Sequence, residues 1–127
     1  MTQQERKTIA TPEAPGAIGP YSQAVQFGNL LITSGQLGMN AGGEFPPTAA
    51  EQARQSLSNV KAILEAAGYG MEHVIKTTVF LHDMNDFQAV NEVYATFFQE
   101  PYPARSAVQV AKLPKNGLVE IEVIAIK

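Results

Sequence analysis

Two side chains in this sequence combine a reactive type with a constrained address. The first is Arg105 in the run Tyr102-Pro103-Ala104-Arg105-Ser106, which follows Pro101. The two prolines restrict the backbone on either side of Tyr102 and hold a guanidinium at the mouth of the strand that follows. Its planar fork matches a carboxylate bidentately, and hydrogen bonds to charged groups of this kind contribute about 1.5–3 kcal/mol. Such an arginine either receives a ligand carboxylate or closes a structural salt bridge with an Asp or Glu of its own chain. The second is Glu120, inside the apolar run Val119 to Val123. A carboxylate set among apolar strand residues needs a partner or a solvated cleft, where it can hold and activate a water molecule. The alternative is that Glu120 and Glu122 simply face solvent.

Other reactive patterns are missing. The chain has two histidines, His73 and His82, each at a strand end and neither with an orienting partner nearby in sequence, so both read as surface residues. There is no Gly-x-Ser-x-Gly, no phosphate-binding Gly-x-x-x-x-Gly-Lys and no histidine pair at ligand spacing. With no cysteine, disulfides, thiolate metal sites and thiol nucleophiles are excluded.

The elements that must position Arg105 and Glu120 follow from periodicity and punctuation. Lys7-Thr8-Ile9 reads as a short edge strand after a frayed start reaching to about Glu5, and the Pro12 to Pro20 region as a loop. Ser22 to Phe27 and Leu30 to Ser34 read as a hairpin joined by Gly28-Asn29. Gly35 to Pro47, with four glycines and two prolines, reads as a loop. Thr48 and Glu51 have the capping-box spacing and Gly68 supplies a stop, which predicts a helix whose apolar face is Ala53, Leu57, Val60, Leu64 and Ala67. Val74 to Leu81 reads as a strand. A second helix is expected over about Asp86 to Gln99, with Asp83 or Asn85 as cap and Phe87, Val90, Tyr94 and Phe97 as its stripe. Ser106 to Ala111 and Leu118 to Ile126 are the last strands.

Strands alternating with helices predict an α+β two-layer sandwich, a mixed six-stranded sheet with two helices on one face. In the last strand Val119, Ile121, Val123 and Ala125 share one side, yet Ile124 and Ile126 lie on the other with the two glutamates. Two helices cover one face only, so the second face is expected to pack against another copy of the chain.

The 127 residues are 45% hydrophobic and 17% charged, the profile of one globular domain spanning 1–127. Nine Lys plus Arg against twelve Asp plus Glu leave a net charge of −3 with no basic run, which argues against a nucleic-acid partner. No segment approaches the ~20 apolar residues of a membrane span, and the polar start lacks a secretory signal, so a soluble cytoplasmic protein is expected.

Six stretches, in order, carry a resemblance. Gly19-Pro20-Tyr21-Ser22-Gln23-Ala24, Ile32-Thr33-Ser34-Gly35-Gln36, Gln52 to Val60, Val74 to Phe80, Tyr102 to Ser106 and Val119 to Glu122 together resemble the reactive intermediate deaminase family, also called Rid or YjgF, over nearly the whole chain from Lys7. The resemblance implies a chorismate-mutase-like fold, a homotrimer with clefts between subunits, and hydrolysis of short 2-imino acids to 2-oxo acids and ammonia without a cofactor or metal. It puts Arg105 on the substrate carboxylate and Glu120 on the water. Tyr21, Ser34 and Asn91 match pocket positions, Gly35 would admit backbone close to the ligand, and Ala107 stands where many members have cysteine, a place at which only a backbone amide contact is expected. Two other readings keep less of this: a 2-oxo acid or small-carboxylate sensor that binds without turnover, and a ribonuclease acting as a translation inhibitor, which the acidic balance opposes.

Overall fold

The structure is a computed structural model that describes residues 5–127. Residues 1–4, most of the start expected to fray, lie outside it. Nine elements follow in order: β1 (Arg6–Ile9), β2 (Ala24–Phe27), β3 (Leu30–Thr33), β4 (Gln36–Leu37), α1 (Ala49–Ala66), β5 (Val74–Leu81), α2 (Phe87–Tyr94), β6 (Ala104–Gln109) and β7 (Val119–Ile126). The sheet runs β1-β2-β3-β7-β5-β6, with β4 also paired to β7. Only β5 and β6 are parallel, the crossover between them passing through α2.

The local signals account for most of these elements. Gly28 takes the positive φ of 61° at the β2–β3 turn. The Thr48 hydroxyl accepts the Glu51 N–H and donates to the Glu51 carboxylate, starting α1, and Gly68 at φ 81° follows its end. Along β7 the expected alternation holds: Val119, Ile121, Val123 and Ala125 are buried and the intervening residues are not. They meet Leu57, Ile63 and Leu64 of α1 and Leu81 of β5 in the core, all fully buried, and each such side chain contributes about 1.5–3 kcal/mol.

Three expectations need correction. The sheet has seven strands, because Gln36–Leu37, expected within a loop, pairs with Ile121 and Glu120 of β7. Strands β3 and β4 lie in succession along the same side of β7, interrupted at Ser34-Gly35, where the Thr33 hydroxyl accepts the Val123 N–H. A two-residue strand is too short to display alternation. The second helix ends at Tyr94, not near Gln99, because both the N–H and the hydroxyl of Thr96 turn back onto the Val93 carbonyl and tighten the next turn. Its buried residues are consequently Val90, Val93 and Tyr94, with Phe98 in place of Phe97. Finally, β6 begins at Ala104, which makes Arg105 part of the strand and not its entrance.

Candidate active site

Glu120 stands at the second position of β7, opposite Leu37 on one side and Phe80 on the other. Its side chain lies directly over Gly35: a Cβ there would sit 2.9 Å from the Glu120 carboxyl carbon and 3.1 Å from one of its oxygens. The room beside Gly35 is thus taken by Glu120, and it is Glu120 that requires the glycine. The carboxyl opens into a cleft of about 510 Å³ walled by Tyr21, Ser34, Gly35, Leu37, Met39, Ile18 and Lys115, among others. Burial among these largely apolar groups raises the Glu120 pKa above its ordinary value of 4.5, and the nearby Glu122 charge raises it further. Plain solvent exposure is therefore not the state of Glu120.

Ser34 and Tyr21 complete one wall. The Ser34 hydroxyl donates to the Ser22 carbonyl at 2.6 Å, which leaves its oxygen free to accept. Half of Tyr21 is exposed, and its hydroxyl accepts the Ile18 N–H at 3.4 Å. Gln23, not singled out by the sequence, fixes the loop behind them. It accepts the Thr11 N–H at 2.7 Å and donates to the carbonyls of Thr11 and Pro15 at 3.1 and 2.8 Å. It stands just before β2, and no pattern in the sequence marks it.

Arg105 occupies a second cleft, of about 420 Å³, shared with Asn91, Tyr94, Ala95, Tyr102 and Pro103. The partner it finds is an amide, not a carboxylate: its Nη1 donates to Asn91 Oδ1 at 2.7 Å. The guanidinium carbon lies 4.7 Å from the centre of the Tyr94 ring and 5.4 Å from that of Phe87, within cation–π range of both. Tyr94 is anchored in turn by a 2.8 Å hydrogen bond to the fully buried Thr77. Burial raises the Tyr94 pKa, against the opposing effects of that hydrogen bond and of Arg105. Arg105 is thus oriented by three α2 side chains and keeps donors for an anion. Ala107, two residues along β6, packs toward the core and does not line this cleft.

The two clefts are on opposite faces of the sheet. Arg105 pairs with Thr77, and Thr77 with Val123, in one row that faces the helices. Glu120 pairs with Phe80 in a row of the opposite parity, on the uncovered face. The structure therefore brings Tyr21, Ser34, Gly35 and Glu120 together, brings Arg105 and Asn91 together, and separates the two groups. His73 is a structural residue whose Nδ1 accepts the Gly70 N–H at 2.9 Å, a partner three residues upstream that the sequence reading overlooked. Among the described residues no three His, Asp or Glu side chains cluster as metal ligands, and no helix is long and apolar enough to cross a membrane.

A mixed sheet with both helices on one face and a carboxyl-bearing cleft on the other is an α+β two-layer fold, and the comparisons assign it to a family. Residues 11–127 match the family described as Endoribonuclease L-PSP, and the chain belongs to that family, the one also called Rid or YjgF. It is 57% identical over 125 residues to the 2-iminobutanoate/2-iminopropanoate deaminase of Escherichia coli K12, covering 95% of this chain and 98% of that one. It is 53% identical over 129 residues to the deaminase of the same name from Bos taurus, covering 100% and 94%. Among solved structures, E. coli TdcF with bound serine superimposes with a TM-score of 0.91 at 53% identity, over 95% of this chain and 98% of that one.

Proposed function

We propose that this chain is a 2-iminobutanoate/2-iminopropanoate deaminase, the activity named for its relatives in E. coli and Bos taurus, acting as one domain within a homotrimer. The observation that carries the reading is a carboxyl of raised pKa seated in an apolar cleft, together with a pre-oriented arginine that has no carboxylate partner among the described residues. A short 2-imino acid presents what these groups receive: a carboxylate for Arg105 and an electrophilic C=N carbon for water. Glu120 takes a proton from water as its oxygen adds to that carbon, forming a carbinolamine. Proton return to the nitrogen lets the C–N bond break, giving a 2-oxo acid and ammonia. Because such imines hydrolyse unaided in water, orientation plus one general base is sufficient catalysis.

Since Arg105 and Glu120 lie on opposite faces of one sheet, a complete site takes Arg105 from one copy and Glu120 from another. The uncovered face supports such packing: Phe27, Ile32, Val108 and Ile126 are each more than two-fifths exposed on it. Tyr21, Ser34 and Gly35, over which Glu120 lies, then belong to the Glu120 side, and Asn91 to the Arg105 side.

The test is a coupled assay that generates 2-iminopropanoate in situ and follows its loss. Wild type should accelerate it, Glu120→Ala should not, and Arg105→Ala should lose about ten- to 150-fold in kcat/KM, the equivalent of about 1.5–3 kcal/mol. A wild type that binds pyruvate yet leaves the imine at its uncatalysed rate would overturn the deaminase in favour of a carboxylate sensor.

A further inference from the structure

The core face of α1 contains a polar strip that the reaction above does not use. Gln52, Ser56 and Asn59 are spaced four and three residues apart, which aligns them along one side of the helix, and they are 5%, 0% and 1% exposed. Burying an amide or hydroxyl is costly unless it is hydrogen-bonded, and all three are bonded to the same piece of chain. Ser56 Oγ donates to the Gln36 carbonyl at 2.7 Å. Asn59 Nδ2 donates to the carbonyls of Leu37 and Met39 at 3.2 and 2.8 Å, while its own Oδ1 is held by Gln55 at 2.9 Å. Gln52 bridges both ends of the wall, donating to the Pro46 carbonyl at 3.0 Å and accepting the Leu118 N–H at 2.8 Å, two residues before Glu120.

The segment so held is the wall of the Glu120 cleft. Leu37 pairs with Glu120 across β4 and β7, and Leu37 and Met39 both line the cavity. At Gly38 the backbone is drawn so close to α1 that a Cβ would run into the backbone of Gln52. Ordinary apolar residues at 52, 56 and 59 would bury as well, but they would remove these hydrogen bonds from the carbonyls of Gln36, Leu37, Met39 and Pro46 and from the Leu118 N–H.

We propose that Gln52, Ser56 and Asn59 are positioning residues that set how far Leu37 and Met39 stand from Glu120, and so set the length of substrate side chain the cleft accepts. This rests on the deaminase reading for the identity of the substrate. The strip draws this wall toward α1, away from the cleft on the opposite face, so releasing it lets Leu37 and Met39 settle toward Glu120, and long side chains lose relative to short ones. Arg105 and Glu120 are untouched, and the kcat for the short imine stays close to wild type.

The experiment compares wild type, Ser56→Ala and Asn59→Leu on 2-iminopropanoate and on the imine of 2-oxohexanoate. In parallel, calorimetry measures the affinities for pyruvate and 2-oxohexanoate. The expected result is a fall of about tenfold in the long-to-short ratio of kcat/KM, carried by KM, and a matching fall in the affinity ratio, since each methylene in an apolar pocket discriminates about tenfold or more. Equal losses on both substrates, or an unchanged ratio in a folded variant, would overturn the proposal. If Asn59→Leu fails to fold, Ser56→Ala, which removes a single hydrogen bond, carries the test. If wild type hydrolyses neither imine, the deaminase reading has failed, and the affinity ratios still decide the role of the strip.

Discussion

Replacing Gly35 by alanine separates activity from stability. The new Cβ would stand 2.9 Å from the Glu120 carboxyl carbon and 3.0 Å from its Cγ, whereas ordinary contact begins near 3.4 Å. Backbone strain adds nothing, because Gly35 is not among the positive-φ glycines. The carboxyl must therefore move by about 0.5 Å, and since a displacement of 1 Å at a reacting group costs about 100-fold, the expected loss is about tenfold in kcat. Stability moves the other way or hardly at all: a compatible glycine-to-alanine change stabilises by about 0.4–1 kcal/mol through the unfolded chain, offset by the tight contact. The assay is imine hydrolysis beside a thermal melt of the same preparation. A Gly35→Ala protein with wild-type kcat would refute the placement of the reacting carboxyl over Gly35, and one that melts far lower would show that Glu120 cannot yield the space.

The raised Glu120 pKa has a sign that can be read in the pH profile: a base must be deprotonated, so activity falls with acidification at a higher pH than an ordinary glutamate would give. Glu122→Gln removes the second cause of that rise, and the acid limb of kcat/KM should move to lower pH. Thr77→Val leaves the buried Tyr94 hydroxyl without its partner and should cost about 1–3 kcal/mol, a fall of roughly 4–11 °C in melting temperature, with KM nearly unchanged because the ring beneath Arg105 remains. Ile32→Lys puts a charge on the uncovered sheet face; light scattering should report a smaller particle and the assay a loss of turnover, whereas an active single chain would contradict the shared site.

What was legible in the sequence was whatever short range encodes. Thr48 and Gly68 mark α1 because capping and left-handed stops are local events, and the alternation along Val119–Ile126 gives the buried side of β7 because strand parity is local too. Arg105 and Glu120 stood out by residue type against their neighbours. The extent of α2 was not legible, since Thr96 competes for a carbonyl already inside a helical pattern. Nor was β4, whose two residues are strand only because Ile121 and Glu120 lie beside them. Gln52, Ser56 and Asn59 gave no signal of burial, because the carbonyls they bond lie in the distant 36–46 segment. The separation of Arg105 from Glu120 depends on the register of β5 against both β6 and β7, which no window of sequence contains.

The opposed faces of Arg105 and Glu120 also carry a genetic meaning. In the proposed shared site, a lesion at either residue damages only one of the two contributions a subunit makes, and the other remains available to a neighbour. Two inactive proteins, one altered at Arg105 and the other at Glu120, should regain part of the lost activity once their subunits are exchanged in solution, because some mixed assemblies pair two undamaged contributions. A chain altered at both residues rescues neither and spoils the sites of its neighbours on both sides. Inheritance of such alleles would then be governed by assembly: complementing in one combination and dominant in the other.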